Sequence, residues 1–131
     1  MEPDIQSIVQ ALQASWSADT DYEATHFDPT NPARGQCVVS SLVVQGLLGG
    51  ELIRYHVSGA GYHEKHYANL LPNGSVLDTT FRQYQGAPVT LKIDPPVLKG
   101  HASMRAKWLS DAETRERYEL LMKSVRSRLE R

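Results

Sequence analysis

An apolar run of twelve residues occupies positions 37–48 and stops at the glycine pair Gly49-Gly50. Its sequence is Cys-Val-Val-Ser-Ser-Leu-Val-Val-Gln-Gly-Leu-Leu, and a stretch this apolar belongs in the interior of a folded protein. The valines suit a buried strand as well as a helix, because periodicity does not separate the two in an apolar run. The length of the run and the glycine pair, which is typical of a helix end, favour a helix buried on nearly all sides. Cys37 then lies at its first residue.

The remaining patterns are helical at both ends of the chain and strand-like between them. Apolar residues recur at helical spacing near both termini, with Asp4 as an N-cap at the first helix and Ser110 and Glu113 as a capping box in the last. Asn73-Gly74 is a strong hairpin turn signal within the strand-like part. We therefore predict one α+β domain over residues 1–131, with the buried helix packed on an antiparallel sheet of three to four strands. The predicted elements are an N-terminal helix (1–16), the buried helix (37–48), the sheet (51–93) and a C-terminal helix (104–129).

Composition excludes several classes of function. The 131 residues carry 14 basic and 15 acidic side chains, and the resulting net charge of -1 argues against nucleic-acid binding. No segment approaches the roughly 18 apolar residues of a membrane span, and no signal peptide, with its basic region followed by an apolar one, is visible. One cysteine forms neither an internal disulfide nor a multi-cysteine zinc site. We expect a cytoplasmic protein that binds neither nucleic acid nor membrane.

The position of Cys37 at the start of a helix has a chemical consequence. Free backbone N–H groups and the positive end of the helix dipole lie beside the first residue of a helix and favour thiolate over thiol. Thiols in such positions, particularly beside an imidazole, become more acidic and more reactive. We therefore expect Cys37 to act as a nucleophile, with its own backbone N–H helping to hold an oxyanion.

A nucleophilic cysteine needs a base, and the predicted hairpin offers one. His66 begins one strand and Asp78 ends the other, so they are candidates for the general base and for the residue that orients it. A two-residue turn at Asn73-Gly74 pairs Asn69 with Asp78, which leaves Asp78 displaced from His66. We expect a longer turn, a bulge or sheet twist to bring the two side chains together.

These segments carry a family resemblance. Gly35-Gln36-Cys37-Val38-Val39 resembles the nucleophile motif of transglutaminases, and the segments 66–70 and 76–80 resemble the strands that hold their histidine and aspartate. The order Cys, His, Asp is that of the transglutaminase-like branch of the papain-like superfamily. More narrowly, the segments 31–37, 49–52 and 71–74 resemble small bacterial YunG-type proteins.

The resemblance implies a function and a set of residues. A papain-like or transglutaminase-like core would use Cys37 as nucleophile, His66 as base and Asp78 as orienter in hydrolysis, deamidation or acyl transfer through an acyl-enzyme. The substrate would be a protein, a peptide or a small acyl compound, and no cofactor would be needed. Gln36, Trp16 and Asn31 are candidates for holding the substrate or the oxyanion.

Two other functions stay open. The chain has Ala68 where the family's histidine strand usually carries Trp, and Thr79 interrupts its Leu-Asp-Pro-Thr pattern. These departures favour a domain with a degenerate triad that serves in binding or as a scaffold. A metal site built from His63, His66, His56 and Asp78 is a weaker alternative, since the spacing is not that of a zincin motif and Lys65 repels a cation. We therefore predict no metal ligand.

Overall fold

A computed structural model describes residues 4–130 of the chain, and this part has an α+β fold. Its strands form one antiparallel sheet in the order β3-β2-β1-β4. Two short 3₁₀ segments lie at 24–26 and 81–84. The helices and strands, in chain order, are α1 (Ile5–Ser15), α2 (Cys37–Leu48), β1 (Glu51–Gly59), β2 (Tyr62–Leu70), β3 (Val76–Leu77), β4 (Thr90–Ile93), α3 (Met104–Leu109) and α4 (Ala112–Leu129).

Helix α2 has the bounds that its sequence predicts. It begins at Cys37 and ends at Gly49, whose φ of 78° is a conformation that glycine adopts without steric cost. The backbone N–H of Gly49 donates to the carbonyl of Gln45 and so closes the last turn. Six consecutive side chains of α2, from Val39 to Val44, are buried. The helix lies between α4 and the sheet, in the interior that its composition requires.

The hydrophobic core forms where α1, α2 and α4 meet. Ile8 and Leu12 of α1 and Leu121 and Val125 of α4 are fully buried there, which confirms the apolar stripes at both ends of the chain. Asp4 caps α1 as predicted, since its Oδ1 accepts the N–H of Ser7 at 2.7 Å. Within residues 4–130, no helix combines the length and the apolar character needed to cross a bilayer.

The C-terminal helix predicted over 104–129 is two helices, and its predicted capping box is wrong. Ser110 ends α3, where its hydroxyl donates to the carbonyl of Lys107 at 2.6 Å. Asp111 is the N-cap of α4: its Oδ2 accepts the N–H of Thr114 at 3.0 Å and the Thr114 hydroxyl at 2.7 Å. Aspartate caps a helix at least as well as serine does, and here it moves the start of the helix one residue along the chain.

The connection between β2 and β3 is a longer turn, one of the three features expected to bring Asp78 to His66. Strand β2 pairs Asn69 with Leu77 and Leu70 with Val76, so five residues (71–75) connect the strands instead of a two-residue turn. The register of a two-residue turn, which would oppose Asn69 to Asp78, is therefore shifted by one residue. Because side chains alternate across a strand, this shift puts Asp78 on the other face of the sheet from the predicted one, the face of His66.

Candidate active site

Cys37 lies on the wall of a cavity of about 490 Å³, at the first position of α2. Its side chain is partly exposed, and Cys37, Val38 and Val39 all line the cavity. The first backbone hydrogen bond of the helix runs from the N–H of Ser40 to the carbonyl of Gln36, and the Gln36 side chain makes no capping bond. The N–H groups of residues 37–39 are therefore uncapped donors at the positive end of the helix, beside the thiol.

His66 and Asp78 form a direct pair. His66 Nε2 lies 2.7 Å from Asp78 Oδ2, with the ring fully buried and the carboxylate partly exposed. The other carboxylate oxygen, Oδ1, accepts the N–H of Thr80 at 3.3 Å. A carboxylate is an acceptor only, so the ring nitrogen that faces it is Nε2–H, and Nδ1 is the nitrogen left for another partner.

The environment of His66 also includes Cys37. Burial lowers the pKa of His66, but its hydrogen bond with Asp78 and its neighbour Cys37 raise it to about 9. Cys37 of α2, His66 of β2 and Asp78, in the segment after β3, therefore lie in one neighbourhood, in which the direct side-chain bond is that between His66 and Asp78. A carboxylate that accepts from an imidazole favours its protonated form and holds the orientation of the ring.

Gln83, which the sequence does not suggest, contacts the second ring nitrogen of His66. Its Nε2 lies 3.2 Å from His66 Nδ1, and its side chain lines the cavity. Its Oε1 accepts a hydrogen bond from Arg34 Nη1 at 3.0 Å. Because a guanidinium only donates, this contact fixes the amide with its NH₂ group toward His66.

A charged network supports Gln83 from the cavity wall. Arg34 donates to both oxygens of Glu64, at 2.8 and 2.5 Å, and the Tyr84 hydroxyl donates to Glu64 Oε2 at 2.9 Å. The Glu64 carboxylate, through its hydrogen bond, raises the pKa of Arg34, which therefore stays charged. Burial, with the bond to Glu64, raises the pKa of Tyr84 and keeps its hydroxyl protonated. Glu64 lies two residues before His66, on the same face of β2, and this spacing is the one signal that could have pointed to it.

Two aromatic side chains also line the cavity. Tyr67 of β2 and Trp108 of α3 line it with their rings 5.6 Å apart and nearly perpendicular. Burial raises the pKa of Tyr67, so its hydroxyl is neutral at physiological pH. The cavity that Cys37 lines thus combines polar groups with aromatic surface, as pockets for ligands with a polar reacting group do.

A comparison with known protein families gave a match over the same residues that the structure describes. The sequence model of the family described as YunG protein matches residues 4–130, nearly the whole chain. The chain belongs to the YunG family. A search of the curated proteins and a search of the solved structures each gave no match.

In this YunG family member, the predicted oxyanion candidate Gln36 is fully buried and does not line the cavity. Its Oε1 accepts the Thr20 hydroxyl at 2.8 Å, and its Nε2 donates to the carbonyl of Ser17 at 3.1 Å. The amide fastens the polar segment before α2 to the start of that helix. Its placement is that of a structural residue behind Cys37.

Trp16 and Asn31 are likewise engaged away from the cavity lining. Trp16 Nε1 donates to Ser40 Oγ at 2.9 Å in the core. Asn31 Nδ2 donates to the backbone carbonyl of Gln83 at 2.8 Å and so helps to hold that residue. Of the six site residues predicted from the sequence, Cys37 lines the cavity, His66 and Asp78 pair with each other near it, and Gln36, Trp16 and Asn31 are engaged elsewhere.

The residues of the metal alternative do not converge. His56 Nε2 and His63 Nδ1 lie 3.2 Å apart on neighbouring strands, whereas His66 pairs with Asp78. Among residues 4–130, no group of three or more histidine, cysteine, aspartate or glutamate side chains is arranged to hold a metal ion.

Proposed function

We propose that this protein is a cysteine-dependent acyl-transfer enzyme with a minimal transglutaminase-like, papain-like core. The reaction is hydrolysis, deamidation or acyl transfer of an amide or thioester through an acyl-enzyme on Cys37. The observation that carries the proposal is the buried His66 imidazole, paired with Asp78 at 2.7 Å, together with Cys37 on the cavity wall at the start of α2. Asp78 and Cys37 both raise the pKa of His66. The chain order Cys, His, Asp and the family resemblance support it.

Each residue has a role in the first half-reaction. The Cys37 thiolate attacks the carbonyl carbon and forms a C–S bond, and the uncapped N–H groups at the start of α2 stabilise the oxyanion. The Gln83 NH₂ group, which faces His66 Nδ1, must first turn away from it. The His66 imidazolium then gives its Nδ1 proton to the leaving amine or thiol as the C–N or C–S bond breaks. Asp78 keeps the opposite nitrogen, Nε2, protonated and the ring fixed at 2.7 Å.

The second half-reaction reverses these roles. Water or an amine attacks the thioester carbonyl of the acyl-enzyme while neutral His66 accepts its proton at Nδ1. The bond to sulfur breaks, and the Cys37 thiolate returns beside the imidazolium. The aromatic wall of Tyr67 and Trp108 excludes bulk water from one side of the reacting carbonyl.

Alkylation tests the thiolate. Because the chain contains one cysteine, uptake of iodoacetamide measured by mass spectrometry reports on Cys37 alone. At pH 6 we expect Cys37 to react about 10- to 100-fold faster than a small free thiol, which is almost wholly protonated there. His66→Gln should remove the advantage, and His101→Gln, which changes a histidine outside the cavity wall, is the matched control. A wild-type rate equal to that of the free thiol would contradict the proposal.

Acylation tests the chemistry beyond thiolate formation. A p-nitrophenyl ester should release a burst of one equivalent of nitrophenol and add the mass of its acyl group to the protein. Cys37→Ala should show neither. If Cys37 reacts fast with iodoacetamide but is not acylated by such an ester, the protein has a reactive thiol and the acyl-transfer proposal is contradicted.

The second candidate function is a binding domain with an inactive triad, and one observation favours it. Gln83 directs its NH₂ group at His66 Nδ1, the nitrogen that the thiol needs. If that contact blocks the triad, Cys37 reacts slowly in the wild type and faster in Gln83→Ala, with exposed Gln85→Ala as control. The enzyme proposal requires fast reaction in the wild type.

A further inference from the structure

We propose that Asp21 binds a positively charged amine of the substrate, a proposal that rests on the acyl-transfer function above. Asp21 lies in the polar segment between α1 and α2 and lines the same cavity as Cys37. Its side chain plays no part in the mechanism just described.

Asp21 differs from the other two carboxylates on the cavity wall. Glu64 is neutralised by Arg34 at 2.5 Å, and Glu23 has His26 at 2.6 Å. Within residues 4–130, Asp21 has no cationic side chain within ion-pair distance. It is therefore the cavity carboxylate whose charge the protein leaves for a ligand to neutralise.

The Asp21 residue is also closely enclosed, with 5% of its surface exposed. Its Oδ1 accepts the N–H of Glu23 at 2.7 Å, while Oδ2 has no hydrogen-bond partner in the described part of the chain. Burial raises the pKa of Asp21, as expected for a carboxylate that has lost water without gaining a cation. A bound ammonium group would supply the missing donor and the missing charge.

The two basic side chains that act on Asp21 at a distance, His26 and Arg117, both contact other groups. The Arg117 guanidinium lies over the ring of Tyr22 at 5.6 Å and donates to Thr114 Oγ1 at 3.2 Å. It acts on Asp21 through its charge only.

The position of Asp21 limits the distance between the ammonium group and the reacting carbonyl of the substrate. Its carboxylate packs against Gly35, where a built Cβ atom would lie 2.3 Å from Oδ1. Gly35 is two residues before Cys37, so chain length alone keeps the carboxylate within about 15 Å of the sulfur. The substrate therefore has its ammonium no more than about four residues, or an equally long linker, from the carbonyl that reacts.

Charged thiol reagents measure this preference directly. Methanethiosulfonates react with a thiolate by forming an S–S bond while methanesulfinate leaves with the electron pair, so they need no turnover. The 2-aminoethyl, methyl and 2-sulfonatoethyl reagents carry positive, zero and negative charge at pH 7. The rate with each reagent is divided by its rate with a small free thiol, and the cationic-to-neutral ratio is then compared between variants.

We expect this ratio to be about five- to tenfold in the wild type and close to one in Asp21→Asn, as for one charge acting through a partly hydrated cavity. Asparagine keeps an oxygen for the Glu23 N–H, so the turn is preserved. Asp19→Asn removes the same charge from an exposed residue outside this cavity and should keep the wild-type ratio. Equal ratios in the wild type and Asp21→Asn would overturn the inference.

The same data separate the two proposals. An inactive thiol would appear as a slow reaction with the neutral methyl reagent, whatever the charge preference. The absence of a cation subsite would appear as an unchanged ratio in Asp21→Asn, even where the neutral reagent reacts fast. Because each ratio is taken within one variant, a modest change in its stability cancels.

Discussion

Replacing Asp78 by asparagine tests the electrostatic link on which the site depends. Asparagine keeps an oxygen that can accept the Nε2–H of His66, now 2.7 Å from the carboxylate, but it removes the negative charge. Burial of the ring, which lowers the pKa of His66, is unchanged. The pKa of His66 should therefore fall well below the wild-type value of about 9.

The same change should appear in folding stability. A histidine whose pKa rises from 6.5 to about 9 on folding stabilises the native state by about 3 kcal/mol at or below pH 6.5. That contribution is lost as the pH rises through 9, because the unfolded state is by then deprotonated and the native imidazolium also loses its proton. The wild type should exceed Asp78→Asn by up to about 3 kcal/mol near pH 6, and the difference should shrink toward pH 9.5.

Two measurements check this prediction. Urea denaturation of both proteins between pH 5.5 and 9.5 gives the difference in unfolding free energy, and NMR titration of the imidazole gives the pKa of His66. Asp94→Asn is the control, since Asp94 pairs with Lys65 and Arg54 and forms no ion pair with a histidine within residues 4–130. A stability difference that does not change with pH, or a His66 titration that Asp78→Asn leaves in place, would refute the reasoning.

Two further predictions each compare a pair of substitutions. Gly35→Ala should destabilise the protein by about 2–4 kcal/mol in urea denaturation, because φ is 84° there and the new Cβ meets the Asp21 carboxylate. Gly74→Ala, where φ is 86° and the Cβ would meet open space, should lose only about 1 kcal/mol from the unfavourable φ, and equal losses in the two variants would exclude the clash. Asp111→Ala should cost about 1 kcal/mol and Ser110→Ala much less in the same measurement, and the reverse order would restore the predicted capping box.

The sequence predicts those parts of the fold that depend on local patterns. The apolar run and the glycine pair define α2 to the residue, because both its burial and its end are encoded within the run itself. The same holds for the cap at Asp4 and the apolar stripes of α1 and α4. Ser110 and Asp111 are adjacent, and either residue type can cap the start of a helix, so the local sequence does not show which one does. In the structure Asp111 is the N-cap of α4 and Ser110 ends α3.

The polar residues around His66 are not predictable in the same way. Gln83 and Arg34 are 49 residues apart in the chain and meet only because the 3₁₀ segment 81–84 returns to the cavity wall. Conversely, Gln36 is next to Cys37 in sequence, yet its amide bonds backward to Ser17 and Thr20. Proximity in the chain therefore identifies the helix that begins at Cys37 but not which amide faces the cavity.

The position of Asp78 shows how a small local feature controls the whole site. Side chains alternate across a strand, so a register with Asn69 opposite Asp78 would point the carboxylate away from the face that carries His66. The five-residue connection 71–75 shifts the pairing by one and ends the ladder at Leu77, which leaves Asp78 free to bond the imidazole. The length of that connection, more than the strong Asn73-Gly74 turn signal, thus determines whether the hairpin brings Asp78 to His66.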